Sequence, residues 1–213
     1  MKAIVDNDVI YKGLKGDLLV TITDSIPGGP DVVGVLGAAP YVLDGLLRKC
    51  DSSSREALNN KLVQFLQASD LLEPTAEELR LAAELERSAQ DSGLPLDVGE
   101  SQICAVAIIR AVPFVATGDK RAIKALEKLF DYHVELSYLA NRVFCLEQLV
   151  LRALSPESVG PLRTAICSAE KLDITLSICF ACYSDQVTIE PIGGCLDSYI
   201  ADLRKNAPRV LAA

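Results

Sequence analysis

The chain has 213 residues, of which 50% are hydrophobic and 23% are charged, with 21 Lys and Arg against 29 Asp and Glu. This composition is sufficient for a folded core and excludes general disorder. The formal net charge of −8 gives no broad basic surface for nucleic acid, although a local basic patch or a bound divalent cation would still serve. No apolar run has the roughly 18 residues of a membrane span, and the N-terminus is not typical of a signal peptide, so we expect a cytoplasmic protein.

Three short apolar runs, each followed by a helical pattern, predict an α/β domain with a mostly parallel sheet. They are brief and continuous, as buried parallel strands are: residues 3–5, 32–36 and 113–117. Capping-box patterns predict three helix starts: Ser53–Glu56, Thr75–Glu78 and Asp97–Glu100. Gly28-Gly29 and Gly193-Gly194 are predicted to form turns, because neither pair matches a phosphate-binding motif.

After about residue 137 the alternation of strands and helices stops. The predicted elements are then helical: residues 141–154, a helix opened by Ser155-Pro156, and a tail over residues 194–206. Residues 173–184 are compatible with either a strand or a helix. We therefore predict an α/β domain over residues 1–137 and an α-helical C-terminal extension over residues 138–213.

Seven cysteines and a single histidine limit the metal and redox chemistry of the chain. An odd number of cysteines without a secretory signal predicts reduced thiols in a cytosolic protein. Cys179 and Cys182 form one CxxC pair, for which Cys167 and Cys195 are the nearest additional zinc ligands. We favour buried structural thiols over zinc, because the motif itself supplies only two of four ligands.

Acidic side chains follow two of the predicted strands. Asp6 and Asp8 come after the first strand, Asp119 comes after the third, and Glu100 opens the helix that leads into the third. Because the carboxyl ends of parallel strands share one edge of the sheet, we expect these acids to converge. Crowded carboxylates repel one another unless a cation neutralises them, and ligands that are all oxygen favour Mg²⁺ or Mn²⁺.

Two of these acids also have a purely structural explanation. Glu100 completes a capping box with Asp97, which needs no metal. Asp119 is suited to begin the next helix, where its charge complements the helix dipole. Asp6 is harder to explain in this way, because an acid that ends an apolar strand is poorly suited to a core.

Three segments taken together resemble the PIN-domain nucleases. They match, in order, the opening motif after the first strand, the Gly-Glu-Ala helix of one PIN branch, and the closing strand with its Thr-x-Asp: residues 6–10, 96–101 and 115–121. The resemblance covers about residues 1–137. It implies a PIN-like three-layer fold and a nuclease that hydrolyses phosphodiester bonds, with RNA as substrate and a Mg²⁺ or Mn²⁺ ion held by carboxylates.

By this resemblance three acids are catalytic and bind the metal: Asp6, Glu100 and Asp119. Thr117 would support the site. PIN domains usually add an acid on an early helix, where this chain has Gly45. Asp44, one residue earlier, is either its substitute or a solvated side chain. Asp8 completes the predicted ligand set, at a position where the family more often has Asn or Ser.

Two hypotheses of different classes follow. The first is a metal-dependent ribonuclease. The second is a catalytically degenerate PIN-fold interaction protein, which Gly45, the acidic surface and the helical extension support. The extension makes the chain longer than the compact PIN toxins, so we do not transfer their role. A homodimer is a further prediction, because the extension offers apolar surface to bury; the sequence identifies no protein partner.

Overall fold

The computed structural model describes residues 1–27, 33–169, 172–184 and 189–213. Its described strands are β1 (Ala3–Val5), β2 (Gly34–Leu36), β3 (Asp70–Leu72), β4 (Phe114–Thr117) and β5 (Val143–Cys145). They form one sheet in the order β3-β2-β1-β4-β5, and every neighbouring pair is parallel. The predicted α/β fold with a parallel central sheet is confirmed. Because β1 lies between β2 and β4, Asp6, which follows β1, is positioned at the carboxyl end of the central strand.

Helices fill the connections between the strands and most of the chain after β5. Those before β5 are α1 (Asn7–Lys15), α2 (Leu19–Asp24), α3 (Ala39–Leu47), α4 (Ser52–Gln67), α5 (Ala76–Asp91), α6 (Val98–Ile109), α7 (Lys120–Leu129) and a 3-10 helix (Val134–Leu139). Those after it are α8 (Leu146–Ala153), α9 (Val159–Ser168), α10 (Ile174–Cys179) and α11 (Ile189–Asn206). Among the described helices, none has both the length and the apolar character to cross a membrane.

The alternation of side chains along β1 divides the core into two layers of helices. Ala3 and Val5 pack on one face with buried residues of α1, α2, α3 and α8. Ile4 packs on the other face with α5, α6 and α7. The neighbouring strand β4 divides in the same way at Val115 and Ala116. The domain therefore has three layers, with the sheet in the middle.

Two of the three predicted capping boxes are confirmed. Thr75 with Glu78, and Asp97 with Glu100, exchange both of the expected hydrogen bonds. The box predicted to start at residue 53 is wrong, because α4 begins one residue earlier, after Asp51, whose side chain makes no capping bond.

The segment after residue 137 contains a strand where we predicted a helix. The helix predicted over residues 141–154 is wrong in its first part, because Val143–Cys145 pairs with β4 and only then does α8 begin. Residues near position 212 lie beside β5, an outermost strand, where the Ala212 amide donates to the Val143 carbonyl oxygen at 2.8 Å. The division of the chain at residue 137 stays a prediction.

The helices after α8 differ in detail from the prediction. Ser155-Pro156 does not open a helix, since α9 starts at Val159. The ambiguous segment contains the helix α10, whose N-cap Asp173 accepts a hydrogen bond from a backbone amide at 3.1 Å. The predicted tail helix is confirmed as part of α11, whereas the turn predicted at Gly193-Gly194 is wrong, because both residues lie inside that helix. Val32 of the second predicted strand and the predicted turn at residues 28–29 lie outside the described residues.

Four of the seven cysteines form disulfides, so the prediction that all are reduced is wrong. Cys167 is bonded to Cys182, and Cys179 is bonded to Cys195. These are the same four residues that we considered as zinc ligands. The bonds connect α9 to the segment after α10, and α10 to α11. The free thiols are those of Cys50, Cys104 and Cys145.

Candidate metal centre

Asp6 is held at the carboxyl end of β1 by the neighbouring strand and by its own helix. Its amide donates to the Ala116 carbonyl oxygen at 2.9 Å, which continues the pairing of β1 with β4 by one residue. Its Oδ1 accepts from the Asn7 amide at 2.7 Å as α1 begins, and its Oδ2 accepts from the Thr117 hydroxyl at 3.1 Å. The Thr117 hydroxyl also accepts from the Asp119 amide at 3.1 Å. The Thr117 hydroxyl therefore links the residues that follow β1 and β4, and its support of a metal site stays a prediction.

Glu100 lies in the first turn of α6, in the confirmed capping box. Its Oε2 accepts from the Asp97 amide at 2.9 Å, and Asp97 Oδ1 accepts from the Glu100 amide at 2.8 Å. Asp6, Glu100 and Thr117 line one small cavity at the edge of the sheet. The fold therefore brings two of the predicted acids together from segments almost a hundred residues apart in the sequence.

Both of these acids have raised pKa values. Burial, followed by the nearby charge of Asp8, raises the pKa of Asp6 to about 6. Burial, together with the charges of Asp97, Asp119 and Asp6, raises the pKa of Glu100 to about 7. Within the described residues neither carboxylate forms an ion pair. The site therefore places two acids together without an ion pair to either of them among the described residues.

Asp8 lies next to this pair but already has a cation. Its carboxylate pairs with Lys12 at 2.7 Å, and Lys12 also pairs with Asp173 at 2.8 Å. Burial alone would lower the pKa of Lys12, but the two carboxylates raise it above its ordinary value. A Cβ atom on Gly118 would meet the Asp8 carboxylate, so a larger residue there would displace the Asp8 side chain. Lys12 and Asp173 are neighbours of the site that the sequence analysis missed.

Asp119 is the N-cap of α7 and is bound by a cation from its own helix. Its Oδ1 accepts from the Arg121 amide at 2.7 Å, and its Oδ2 accepts from the Arg121 guanidinium at 2.7 Å. Burial alone would raise the pKa of Asp119, but the Arg121 hydrogen bonds lower it below its ordinary value. The structural explanation is therefore confirmed for this residue, and a role as metal ligand requires that Arg121 release it.

Asp44 makes no described contact with these acids. It is on α3, its side chain is 44% exposed, and its carboxylate pairs with Arg48 at 2.6 Å. A side chain on Gly45 would meet no atom within 4 Å, so no neighbour fills the position where an acid was expected. The structure provides no contact that joins Asp44 to the described site, and its metal role stays a prediction.

The oxygen donors of this site suit a hard divalent cation, but their side chains do not converge on one point as metal ligands do. Within the described residues, no three His, Cys, Asp or Glu side chains are grouped as a metal ion requires. Glu100 is turned toward its cap and Asp119 toward Arg121, while Asp6 and Glu100 keep uncompensated charge. Asp97 adds to that charge, since it raises the pKa of both acids. The sequence analysis interpreted Asp97 only as a helix cap and did not predict that its charge acts on these acids.

Comparison with known proteins gives a structural similarity and no match in sequence. The crystal structure of FitAcB from Neisseria gonorrhoeae is similar to this chain, with 16% sequence identity and a TM-score of 0.42, over 58% of this chain and 91% of that chain. No protein-family model and no curated protein matches the sequence. The function is therefore inferred from the residues of this chain.

Proposed function

We propose that this protein is a PIN-like ribonuclease that hydrolyses phosphodiester bonds with a divalent metal ion, Mg²⁺ or Mn²⁺. The observation that carries the proposal is the pair of partly buried acids, Asp6 and Glu100, which share a cavity without a cation partner. Keeping two carboxylates together at the edge of a core costs free energy, and a divalent cation with oxygen ligands offsets that cost. Each acid also accepts a hydrogen bond at the start of a helix, but these caps do not require the two carboxylates to share one cavity.

Each residue of the site would have a distinct task. Asp6 and Glu100 would hold the ion, and Asp119 would join them once it is released by Arg121. A bound divalent ion supplies Lewis-acid activation of water and neutralises charge that develops on a phosphodiester. Thr117 would orient Asp6 through the hydrogen bond described above. Asp97 would raise the negative potential that attracts the cation.

The decisive experiment measures cleavage of a labelled single-stranded RNA with Mn²⁺, with Mg²⁺ and with EDTA. We expect metal-dependent cleavage by the wild type and a loss of at least 100-fold in Asp6→Asn. Asp70→Asn is the matched control, because this exposed acid begins β3 and so lies at the opposite edge of the sheet. If Asp6→Asn cleaves at the wild-type rate, the proposal is wrong. A labelled single-stranded DNA of the same sequence distinguishes the two substrates.

The second candidate is an interaction protein with a PIN-like fold and an incomplete site. The empty surroundings of Gly45 and the capture of Asp119 by Arg121 favour it. Calorimetric titration with Mn²⁺ separates the two candidates. Binding that depends on Asp6 supports the nuclease, whereas no binding at millimolar Mn²⁺ together with intact RNA supports the interaction protein.

A further inference from the structure

Both oxygens of Asp119 are bound by the side chain of Arg121. The Arg121 Nη2 donates to Oδ2 at 2.7 Å, and Nε donates to Oδ1 at 3.2 Å. This two-pronged contact occupies the oxygens that a metal ion would use. Arg121 also interacts electrostatically with Glu100 and Asp97. Its guanidinium thus lies within the field of three acids at the edge of the sheet.

The exposure of Arg121 distinguishes it from Lys12, another cation beside the site. The Arg121 side chain is 76% exposed, whereas the side chain of Lys12 is 17% exposed and is held by two carboxylates. An exposed ion pair contributes only about 0–1 kcal/mol, so its separation costs little. Lys12 is held in place, whereas Arg121 is able to leave Asp119 for the solvent.

We propose that Arg121 is an exchangeable counter-cation, which holds Asp119 in the metal-free protein and yields it to the metal ion. The freed guanidinium then binds a phosphate of the RNA beside the site, because its planar fork suits a phosphate as well as a carboxylate. This inference rests on the proposed function. It predicts that Arg121 weakens metal binding and strengthens RNA binding, which are effects of opposite sign from one side chain.

The test is Arg121→Gln, with Mn²⁺ affinity measured by calorimetry in the absence of RNA and in 0.3 M NaCl, at which long-range charge effects are largely screened. We expect Mn²⁺ to bind roughly 3–10-fold more tightly, because its competitor for Asp119 is gone. Lys128→Gln is the matched control, since it removes the same charge from an exposed position at the other end of α7. Lys128→Gln should change the logarithm of the Mn²⁺ affinity by less than half as much as Arg121→Gln does. With saturating Mn²⁺, Arg121→Gln should raise the KM for RNA several-fold and leave kcat within about twofold.

The outcomes separate this inference from the proposed function. If the wild type binds Mn²⁺ and Arg121→Gln binds it equally well, the inference is wrong and the nuclease proposal stands. If only the variant binds, Arg121 keeps Asp119 instead of yielding it, so the inference is wrong and the wild type lacks the metal binding that the nuclease proposal requires. If neither binds, both proposals are wrong. Tighter Mn²⁺ binding with an unchanged KM would overturn the phosphate contact alone.

Discussion

At the scale of single residues, the predicted acids divide according to their partners. Asp8, Asp44 and Asp119 are neutralised by a cation, Lys12, Arg48 and Arg121 respectively. Asp6 and Glu100 are not, within the described residues. The sequence placed Asp6 and Glu100 at one end of the sheet, where they share a cavity, but it also included Asp44, which no described contact joins to them. It did not predict which are neutralised, because that depends on the rotamers of long side chains and on contacts such as Lys12 with Asp173, 161 residues apart.

The raised pKa values predict how the stability of the metal-free protein depends on pH. In the folded state Asp6 binds a proton up to a pH of about 6, compared with an ordinary pKa of 3.8, and Glu100 behaves similarly up to about 7. Between pH 4 and 7 these two groups therefore bind more protons in the folded state than in the unfolded state, so their contribution to stability falls as the pH rises. Asp6→Asn should remove part of this fall and stabilise the metal-free protein at pH 8 by about 1–3 kcal/mol.

Urea unfolding at pH 5 and pH 8 in EDTA measures this difference. Asp119, Asp173 and Glu78 have lowered pKa values and act in the opposite direction, but they are common to both proteins and cancel in the comparison. Asp70→Asn should show the pH dependence of the wild type. The prediction is wrong if Asp6→Asn follows the same pH dependence as well.

At the scale of elements, the sequence predicted those whose ends are set by residues close together in the chain. The start of α6 is set by a side chain and a backbone amide three residues apart, so its capping box was visible in the sequence. The strand β5 has only three residues and continues without a break into the apolar start of α8. Only its pairing with β4 makes it a strand, and this distant contact leaves no periodic pattern.

The start of α6 also allows the two roles of Asp97 to be separated. Asn is as good an N-cap as Asp, so Asp97→Asn should keep the helix and change stability by less than about 0.5 kcal/mol. It removes a charge that acts on Asp6 and Glu100, so Mn²⁺ should bind several-fold more weakly. Asp97→Ala should lose the cap as well, at a cost of about 1 kcal/mol. Calorimetry and thermal unfolding of both variants provide the readout. Wild-type Mn²⁺ affinity in Asp97→Asn would mean that Asp97 is only a cap.

At the scale of the whole molecule, the helices after β5 are joined to the site as well as to one another. The two disulfides hold α10 between α9 and α11, and Asp173 at the start of α10 pairs with Lys12 beside the site. The side chain of Lys120 donates to the Thr175 hydroxyl at 3.0 Å in the same region. The first turn of α10 therefore borders the acids. The sequence indicated an extension but not this contact, because its disulfide and ion pairs join residues that no local pattern connects.

The disulfides make this arrangement testable in the intact chain. Alkylation of the denatured, unreduced protein should modify three thiols, and prior reduction should raise the number to seven. The bonds close loops with sequence separations of 15 and 16 residues, so each should contribute about 3 kcal/mol on the chain-entropy model. Since the disulfides lie outside the sheet, reduction should increase amide hydrogen exchange in α9, α10 and α11 much more than in β1 and β4. Modification of all seven thiols without reduction would show instead that the reduced state expected from the sequence is correct, and a uniform rise in exchange would show that these helices and the sheet unfold as one unit.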